Sequence, residues 1–564
     1  MSRTIENVAV IGAGAAGLIF SEVLLRKGIN VTIFEKSSDI GGIWNYSTNS
    51  SAMYDSLRTN LPKEIMAINP ENPFPRDGFS FVGHSVVQEY LKSFALRHDL
   101  IRHTQFGTEV VNIKKETEDG SGNGAIWLVE TRRTARHTPE EKDYSTQYVY
   151  NRKFDAVIIC NGHFSSPNWP PSPRGLSEYF KGNSLHSNQY DSHKTFLANK
   201  RVLVVGSKSS GTDIARELMN LGCTVHVSDR NRGVNVNNNS VSNSVNNSVN
   251  NNINDNINTS QKHFLSYEDC SNSDATQPLP ILHSAIEHIN ENGDIAFMDG
   301  SVAPDIDAIV WCTGYLYDFP FLPLPSSPPP PPFSSSSAAV AASSSSSSAP
   351  SPSSATTTRA AASTSAVELL LNMGTCRGGE SIVESSAPSF AGVSVHVEDG
   401  KRVRPLYQQL FSIEDPTLIF AGLPFRVVPF PLFYFQAEYV TAVLTGQVTL
   451  PELAQRYEWF HTWEKMLKAK EHYADKYHYL GDGSDQWDYC RFLARESGLI
   501  SYSSSSSAHG GGGCYRANMD AYITMLSEIY EDNIAHRPAC PGASDAYRER
   551  KYSVNLESNQ WSVV

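Results

Sequence analysis

Two kinds of chemical centre are missing from this sequence of 564 residues. Its 8 cysteines are scattered along the whole chain, and they form neither a CxxC pair nor the cysteine and histidine spacing of a zinc site. A redox-active disulfide is therefore disfavoured, and with it a disulfide reductase, and no metal site is expected. The cysteines are interpreted as reduced thiols that serve mostly in packing.

A surplus of positive charge is also missing. The 46 lysines and arginines stand against 59 aspartates and glutamates, which gives a formal net charge of -13. An acidic balance disfavours non-specific binding to nucleic acid or to anionic lipid, so partners of other kinds are expected.

Long apolar runs are scarce. The most apolar late stretch, residues 418–435, contains Arg426 and three prolines, whereas a membrane-spanning helix needs about 20 predominantly apolar residues. This stretch is predicted to be a buried loop or strand. The chain reaches its first apolar strand without the basic region and apolar core of a secretory signal, so a cytoplasmic protein without a membrane anchor is expected.

The organisation of the chain indicates several domains, because its length exceeds that of a typical single domain. Predicted strands and helices alternate, which favours an α/β architecture with parallel sheets. Residues 231–262, rich in Asn and Ser, and residues 325–365, rich in Pro and Ser, lack the apolar density of a core and are predicted to be disordered loops within domains. A flexible patch that includes Gly510–Gly513 is expected to precede the C-terminal tail.

The first glycine motif is NVAVIGAGAAG, near the N-terminus. Val8–Ile11 is predicted to be a buried strand, and Gly12, Gly14 and Gly17 complete a GxGxxG pattern that opens a helix. Such a turn is typical of a dinucleotide site, because backbone amides and a helix N-terminus meet the pyrophosphate. Glu35 ends the next predicted strand, where a carboxylate accepts hydrogen bonds from ribose hydroxyls. The residues expected at this site are Gly12, Ala13, Gly14, Ala15, Ala16, Gly17 and Glu35.

The second glycine motif is RVLVVGSKSSG, where the predicted strand Val202–Val205 precedes a helix from Thr212. Lys208 replaces the middle glycine of the pattern. Its Cβ crowds a pyrophosphate while its ammonium group attracts one, so weakened binding and altered binding both remain open. The residues expected at this site are Gly206, Lys208, Ser209, Ser210 and Gly211.

Charges after the next predicted strand bear on the choice of coenzyme. Arg230 and Arg232 stand where guanidinium groups accommodate the 2′-phosphate of NADP, whereas Asp229 favours the free 2′-hydroxyl of NAD. The two arginines favour NADP, with Arg230 as the expected contact. A solvated charge cluster without a ligand is the alternative.

Three further segments carry a resemblance to a known family. EKSSDIGGIW, residues 35–44, is similar to the FAD segment ExxxxxGGxW, and FKGNSLHSNQY, residues 180–190, matches the fingerprint FxGxxxHxxx(Y/F). DAIVWCTGY, residues 307–315, is similar to a late TGY motif. In combination with the glycine motifs, they resemble the flavin-containing monooxygenases, which are class B flavoprotein monooxygenases of the N,N-dimethylaniline monooxygenase type. The resemblance extends from about Asn7 to about Leu499.

The resemblance implies two Rossmann-like dinucleotide-binding domains, with FAD in the first and NADPH in the second, and with the NADP domain inserted in the FAD domain. The expected division is a first part of the FAD domain at 1–165, the NADP domain at 166–300, a second part of the FAD domain at 301–500, and a flexible linker and C-terminal tail at 501–564.

The resemblance also implies site residues. Asn60, in YDSLRTNLPKE, is the expected active-site residue beside the flavin, because an amide offers donors and an acceptor without charge. A turn residue before Leu61 and Pro62 is the alternative. Thr59 is a weaker expected contact of NADP, and His186 in the fingerprint is expected to be structural. Further residues implied at the flavin are Gly42, Ile43, Trp44, Val110 and Gln436.

The implied reaction is an oxygenation. NADPH reduces FAD, the reduced flavin captures O2 as a C4a-hydroperoxide, and one oxygen atom passes to a soft nucleophile, an amine nitrogen or a thioether sulfur. Tyr190 favours this branch, because Baeyer-Villiger relatives usually carry tryptophan there. A Baeyer-Villiger or N-hydroxylating monooxygenase on the same scaffold is one alternative, and a nucleotide-binding flavoprotein without turnover is the other.

Overall fold

The computed structural model describes residues 4–47, 52–116, 126–134, 149–230, 232, 279–323, 394–469, 473–481, 484–500, 518–537 and 545–564. Apart from Arg232, the low-complexity segment at 231–262 lies outside the described residues, as do the segment at 325–365 and Gly510–Gly513. The expectations for these segments therefore stay predictions.

The described part of the chain contains both strands and helices. The strands are β1 Asn7–Ile11, β2 Asn30–Phe34, β3 Thr104–Gln105, β4 Thr108–Glu116, β5 Ile126–Arg133, β6 Val149–Phe154, β7 Ala156–Ile159, β8 Ser166–Pro167, β9 Asn183–His186, β10 Arg201–Val205, β11 Thr224–Ser228, β12 Ile281–His283, β13 Ile286–Ile289, β14 Ile295–Phe297, β15 Val302–Ala303, β16 Ala308–Trp311, β17 Tyr315–Leu316, β18 His396–Glu398, β19 Arg402–Arg404, β20 Leu406–Tyr407, β21 Phe411–Ser412, β22 Leu418–Phe420, β23 Tyr552–Asn555 and β24 Gln560–Val563. The α-helices are α1 Ala15–Arg26, α2 Lys63–Met66, α3 His84–Arg97, α4 Leu176–Tyr179, α5 Tyr190–Leu197, α6 Ser209–Asn220, α7 Pro429–Leu444, α8 Leu453–Lys468, α9 Asp485–Glu496 and α10 Met519–Ala535.

The first large sheet has the strand order β20-β21-β22-β7-β1-β2-β3. β1 lies inside it and pairs in parallel with β2 and β7. Val8 and Val10 point into the core that α1 covers, while Ala9 and Ile11 point into the core beneath the β4-β5-β6 sheet. Because both faces of β1 are buried, its sequence is a continuous apolar run.

The second large sheet has the order β12-β11-β10-β16-β9, and all its pairings are parallel. Val202 and Val204 of β10 enter one core, and Leu203 enters the core on the opposite face. Around each large sheet, the chain thus runs from a buried strand through a glycine turn and a helix to a second strand, which is parallel to the first. The predicted α/β class with two Rossmann-like units is confirmed.

β16 corrects one expected domain boundary. Residues from 301 onward were expected in the FAD domain, but β16, at 308–311, pairs with β9 and β10 in the second sheet. It supplies the parallel neighbour that β10 needs on the side away from β11, as β7 does for β1. The second sheet therefore extends to Trp311, beyond the expected boundary at 300. The rest of the domain division stays a proposal.

The described part of the C-terminal tail, which follows the expected flexible linker, is folded. Tyr522, Ile523, Leu526 and Ile529 on α10 are buried in the largest core, which also contains residues of α9. These positions share one helix face, because they recur at the spacing of a 3.6-residue turn. After α10, the strands β23 and β24 form an antiparallel hairpin.

The apolar stretch at 418–435 also differs from expectation. It begins with strand β22, as predicted, but it then enters the helix α7 at Pro429. Pro429 and Pro431 lie in the first helical turn, where a missing N–H removes no hydrogen bond from the helix. Two of the prolines that argued against a helix therefore mark where the helix starts.

A buried histidine joins two segments of the first domain. The Val403 N–H of β19 donates to Nε2 of His478 at 3.0 Å. Nδ1 therefore carries the proton, and it donates to Oε1 of Gln409 at 3.1 Å. Burial lowers the pKa of His478 to about 3, so the ring is neutral in the folded protein.

His478 should make folding stability depend on pH. Between pH 6.5 and pH 4 the unfolded chain binds a proton at this ring and the folded chain does not, so stability falls by about 1.4 kcal/mol per pH unit from this group. His478→Asn should flatten the dependence of the unfolding free energy on pH, measured by denaturant titration from pH 4 to 7. His461→Asn, at an exposed position, should keep the wild-type slope. Equal slopes in both variants would contradict this account.

Candidate active site

The first glycine motif forms a tight turn between β1 and α1. Gly12 has φ +103°, in the left-handed region that glycine adopts without strain. A Cβ on Gly17 would lie 1.9 Å from the carbonyl oxygen of Gly12, so α1 approaches the turn only without a side chain there. Ala15 and Ala16 open α1, and no side chain caps its first turn. The helix N-terminus therefore keeps the features of an anion-binding site.

Glu35 lies beside this turn, as predicted. Its buried carboxylate accepts hydrogen bonds from the backbone N–H of Ala13 at 2.8 Å and from that of Ser37 at 2.8 Å. The end of β2 is thereby tied to the glycine turn. We call residues 12–17 with Glu35 the first cradle.

Gly42, in the glycine pair that follows Glu35 in the chain, packs against the first cradle. A Cβ on Gly42 would lie 3.0 Å from Cα of Gly14, so the two backbones are in close contact. Ile43 and Trp44 continue in a short 3₁₀ turn. The Trp44 ring meets Phe430, near the start of α7, edge to face at 6.4 Å between centroids. The segment is thus held between the cradle and α7.

The second motif repeats this geometry, and we call residues 206–211 with Asp229 the second cradle. Gly206 has φ +107°, and a Cβ on Gly211 would lie 1.8 Å from the carbonyl oxygen of Gly206. The helix α6 begins at Ser209, three residues earlier than the sequence predicted. Ser209 and Ser210 are exposed in its first turn, which no side chain caps.

The backbone of a cysteine packs against the first glycine of each cradle. Each cysteine follows the parallel strand that adjoins the cradle. A Cβ on Gly12 would lie 2.6 Å from the carbonyl oxygen of Cys160, and a Cβ on Gly206 would lie 2.5 Å from that of Cys312. The two cysteines directly follow β7 and β16, and neither forms a disulfide. Burial raises the pKa of both thiols, that of Cys312 to about 12, so both are protonated near neutral pH.

Positive charge gathers at the second cradle. Lys208 directly precedes α6, and its side chain is exposed. Desolvation, followed by the positive charges of Arg426 and Arg230, lowers its pKa. These three cations attract a phosphate group better than any one of them does alone.

Asp229 is the counterpart of Glu35 in the second cradle. Each carboxylate lies 23 positions after the first glycine of its motif, and the hydroxyl of Ser207 donates to Asp229 at 2.5 Å. The next residue, Arg230, pairs with Asp475 at 2.9 Å, although its side chain is 65% exposed. Because an exposed ion pair stabilises little, the Arg230 guanidinium can exchange this partner for a phosphate.

Asn60 lies against the second cradle, on a loop anchored in the first domain. Its Nδ2 is 3.5 Å from Oγ of Ser209, at the outer limit of a hydrogen bond. The preceding residue, Thr59, is buried, and its hydroxyl accepts a hydrogen bond from the Val82 N–H at 3.1 Å. The following residue, Leu61, is part of the largest core. The loop is therefore held on both sides of Asn60.

Comparison with known proteins accounts for this pair of cradles. The family model described as "Flavin-binding monooxygenase-like" matches residues 5–246. Over 467 residues the chain is 30% identical to the putative flavin-containing monooxygenase FMO GS-OX-like 10 of Arabidopsis thaliana, with 79% of this chain and 76% of that protein covered. The chain belongs to the flavin-containing monooxygenase family.

Other members and solved structures extend the likeness. The flavin-containing monooxygenase FMO GS-OX3 of Arabidopsis thaliana is 29% identical over 518 residues, which cover 88% of this monooxygenase and 85% of that protein. The structure of S-allyl-L-cysteine S-oxygenase from Allium sativum matches with a TM-score of 0.64 and 25% identity, over 97% and 96% of the two chains. The structure of Tmm from a Pelagibacter strain shares the fold, with a TM-score of 0.61 and 18% identity over 99% and 96% of the chains.

FAD and NADPH are the cofactors of this monooxygenase. Both cradles fit a dinucleotide, because each has glycines where a Cβ would collide and a helix start that no side chain caps. The carboxylates of Glu35 and Asp229 end the second strand of each unit. The cations at the second cradle agree with a phosphorylated coenzyme there.

Three other residues singled out in the sequence are buried. Val110 is buried in β4, within the core beneath the β4-β5-β6 sheet. Gln436 on α7 is buried, and its Oε1 accepts a hydrogen bond from the Gly422 N–H at 3.0 Å. Contact of Val110 and Gln436 with the flavin stays a prediction. The ring of His186 is buried and bonded to the Gly314 carbonyl oxygen at 3.1 Å, which agrees with the expected structural role.

The C-terminal tail supplies contacts that motif analysis missed. Asn533 donates to the Asn60 carbonyl oxygen at 3.2 Å, and Arg537 donates to the same oxygen. Arg548 donates to the Thr59 carbonyl oxygen at 3.1 Å. The one local signal was the basic and aromatic string YRERKY, residues 547–552, which carries no established spacing for a site.

Two features are absent from the residues that the structure describes. No helix there has both the length and the apolar character needed to cross a membrane. Within the same residues, no group of three histidine, cysteine or acidic side chains is placed to hold a metal ion.

Gly211→Ala should disable the second cradle and leave the first intact. The new Cβ would collide with the Gly206 carbonyl oxygen, so α6 must shift away from the turn. We expect flavin absorbance per protein to stay at the wild-type level, and the dissociation constant of NADP⁺, measured by calorimetry, to rise at least about tenfold. Gly83→Ala is the matched control, because a Cβ there meets no atom closer than 3.9 Å. Unchanged NADP⁺ affinity in Gly211→Ala would contradict the assignment.

Proposed function

We propose that this monooxygenase uses NADPH and O2 to oxygenate a soft nucleophile, with a thioether sulfur as the preferred target and an amine nitrogen as the second class. The observation that carries the proposal is the Asn60 loop, which is anchored in the first domain and reaches the second cradle. Sulfur is favoured by the likeness to S-allyl-L-cysteine S-oxygenase, which is 25% identical over 97% of this chain.

The proposed reaction balances without a metal ion or a protein nucleophile. A thioether, O2, NADPH and a proton give a sulfoxide, water and NADP⁺. When bound, FAD supplies the redox chemistry by accepting hydride from NADPH and activating O2. The chain must therefore bind both nucleotides, orient them and keep water from the reacting atoms.

The residues of the two cradles divide these tasks. Glu35 accepts hydrogen bonds from the ribose of FAD, and the N-terminus of α1 binds its pyrophosphate. The N-terminus of α6 and Lys208 bind the phosphates of NADPH, and Arg230 recognises the 2′-phosphate. Asn60 presents an uncharged donor and acceptor between the two nucleotides.

The function is tested by assaying the FAD-loaded enzyme with three probes: S-allyl-L-cysteine, N,N-dimethylaniline and cyclohexanone. NADPH consumption is followed by absorbance and products by mass spectrometry. We expect S-allyl-L-cysteine sulfoxide, with kcat/KM at least about tenfold above that for the amine. An ester from cyclohexanone as the main product would instead identify a Baeyer-Villiger enzyme, and no NADPH oxidation with any probe would identify a flavoprotein without turnover.

Asn60→Ala should separate NADPH oxidation from oxygen transfer. The variant loses the amide but no residue of either cradle, so FAD binding and NADPH oxidation should persist. Sulfoxide formed per NADPH oxidised should fall at least about tenfold, with hydrogen peroxide making up the difference. Asn292→Ala, at an exposed position, is the control and should couple as the wild type does. Full coupling in Asn60→Ala would remove this residue from the mechanism.

A further inference from the structure

Arg548 is a buried arginine of the C-terminal tail, and only 3% of its surface is exposed. It lies in a short 3₁₀ turn, Ala546–Glu549, that precedes the β23-β24 hairpin. A charge buried to this extent must be paired and hydrogen-bonded to be tolerated. Its partners therefore show what the residue does.

One side of the Arg548 guanidinium binds the second domain. Nη2 lies 2.9 Å from Oδ2 of Asp213, and Nη1 lies 3.1 Å from Oδ1 of the same carboxylate. This is the bidentate geometry that arginine forms and lysine cannot. Asp213 is on α6, four positions after Ser209 and therefore one helical turn along.

The other side of the guanidinium binds the loop that carries Asn60. Nε donates to the Thr59 carbonyl oxygen at 3.1 Å. That carbonyl belongs to the peptide bond that leads into Asn60. The Thr59 N–H, in the preceding peptide bond, donates to the Val82 carbonyl oxygen at 2.8 Å, so Thr59 is held through both its N–H and its carbonyl oxygen.

The contacts between the Asn60 loop and the tail run in both directions, because the loop also donates hydrogen bonds to the tail. Nη2 of Arg58 donates to the Arg548 carbonyl oxygen at 3.2 Å, and Nη1 of Arg58 pairs with Glu549 at 3.1 Å. The second contact is exposed, with 62% of the Glu549 side chain accessible. An exposed pair contributes little, so the buried contacts of Arg548 dominate.

We propose that Arg548 is a positioning residue, which couples the Asn60 loop to α6 through Asp213 and so sets where the Asn60 amide lies relative to the second cradle. Arg548 touches neither nucleotide in this role. It acts through Thr59, and it makes the C-terminal tail part of the active site. Its effect on oxygen transfer rests on the proposed function, whereas its effect on the loop does not.

The test compares Arg548→Lys and Asp213→Asn with Glu549→Gln in the FAD-loaded enzyme. Arg548→Lys keeps the charge and loses the forked contact, and Asp213→Asn keeps the shape and loses the charge. Glu549→Gln is the matched control, since it alters the exposed contact between the same tail and the same loop. Hydrogen-deuterium exchange of residues 54–61 reports the loop directly, and sulfoxide formed per NADPH oxidised reports its function.

We expect exchange at residues 54–61 to rise about tenfold in both test variants and coupling to fall about tenfold. FAD content and the KM for NADPH should stay within about twofold of the wild type. Glu549→Gln should match the wild type in every readout. If Arg548→Lys does not fold, Asp213→Asn carries the same comparison.

Two outcomes would overturn the proposal. One is wild-type exchange and wild-type coupling in the folded test variants. The other is a lowered melting temperature with unchanged coupling per FAD-loaded molecule, which would make Arg548 a purely structural residue. If the wild type forms no sulfoxide, the proposed function fails by itself, and the exchange measurement still decides whether Arg548 holds the loop.

Discussion

The contact on which the rest of the structure depends is the approach of a helix to the turn that precedes it. In the first cradle the Gly17 backbone meets the Gly12 carbonyl oxygen, and in the second the Gly211 backbone meets that of Gly206, at distances that leave no room for a Cβ. This approach fixes the angle between strand and helix in each domain. It also places the start of each helix, with its unbonded amides, beside the carboxylate that ends the next strand.

Local spacing is why much of the site could be predicted from the sequence. A buried strand, a glycine turn and a carboxylate at a fixed offset are separated by few residues, so their geometry follows from backbone rules alone. Glu35 lies beside the first glycine turn as predicted, and Asp229 occupies the equivalent place in the second domain. Helix α6 began earlier than predicted because Ser209 and Ser210 tolerate the first turn of a helix as well as a loop.

Distant pairings explain what the sequence did not predict. Arg548 and Asp213 are 335 positions apart, and Arg230 and Asp475 are 245 apart, so no local pattern relates either pair. The boundary near β16 was missed for the same reason, since membership of a parallel sheet depends on a neighbour far along the chain. The family motifs end near Leu499, so no fold was predicted for the tail. The apolar face of α10 nevertheless packs in the main core.

The cysteines behind the two cradles differ from reactive cysteines in their protonation state. Hydrogen peroxide attacks cysteine as the thiolate. Cys160 and Cys312 support the first glycine of each cradle through their backbone, and burial keeps their side chains protonated. The two thiols that adjoin the cradles are thus held in the protonated form, which reacts more slowly with peroxide than the thiolate does.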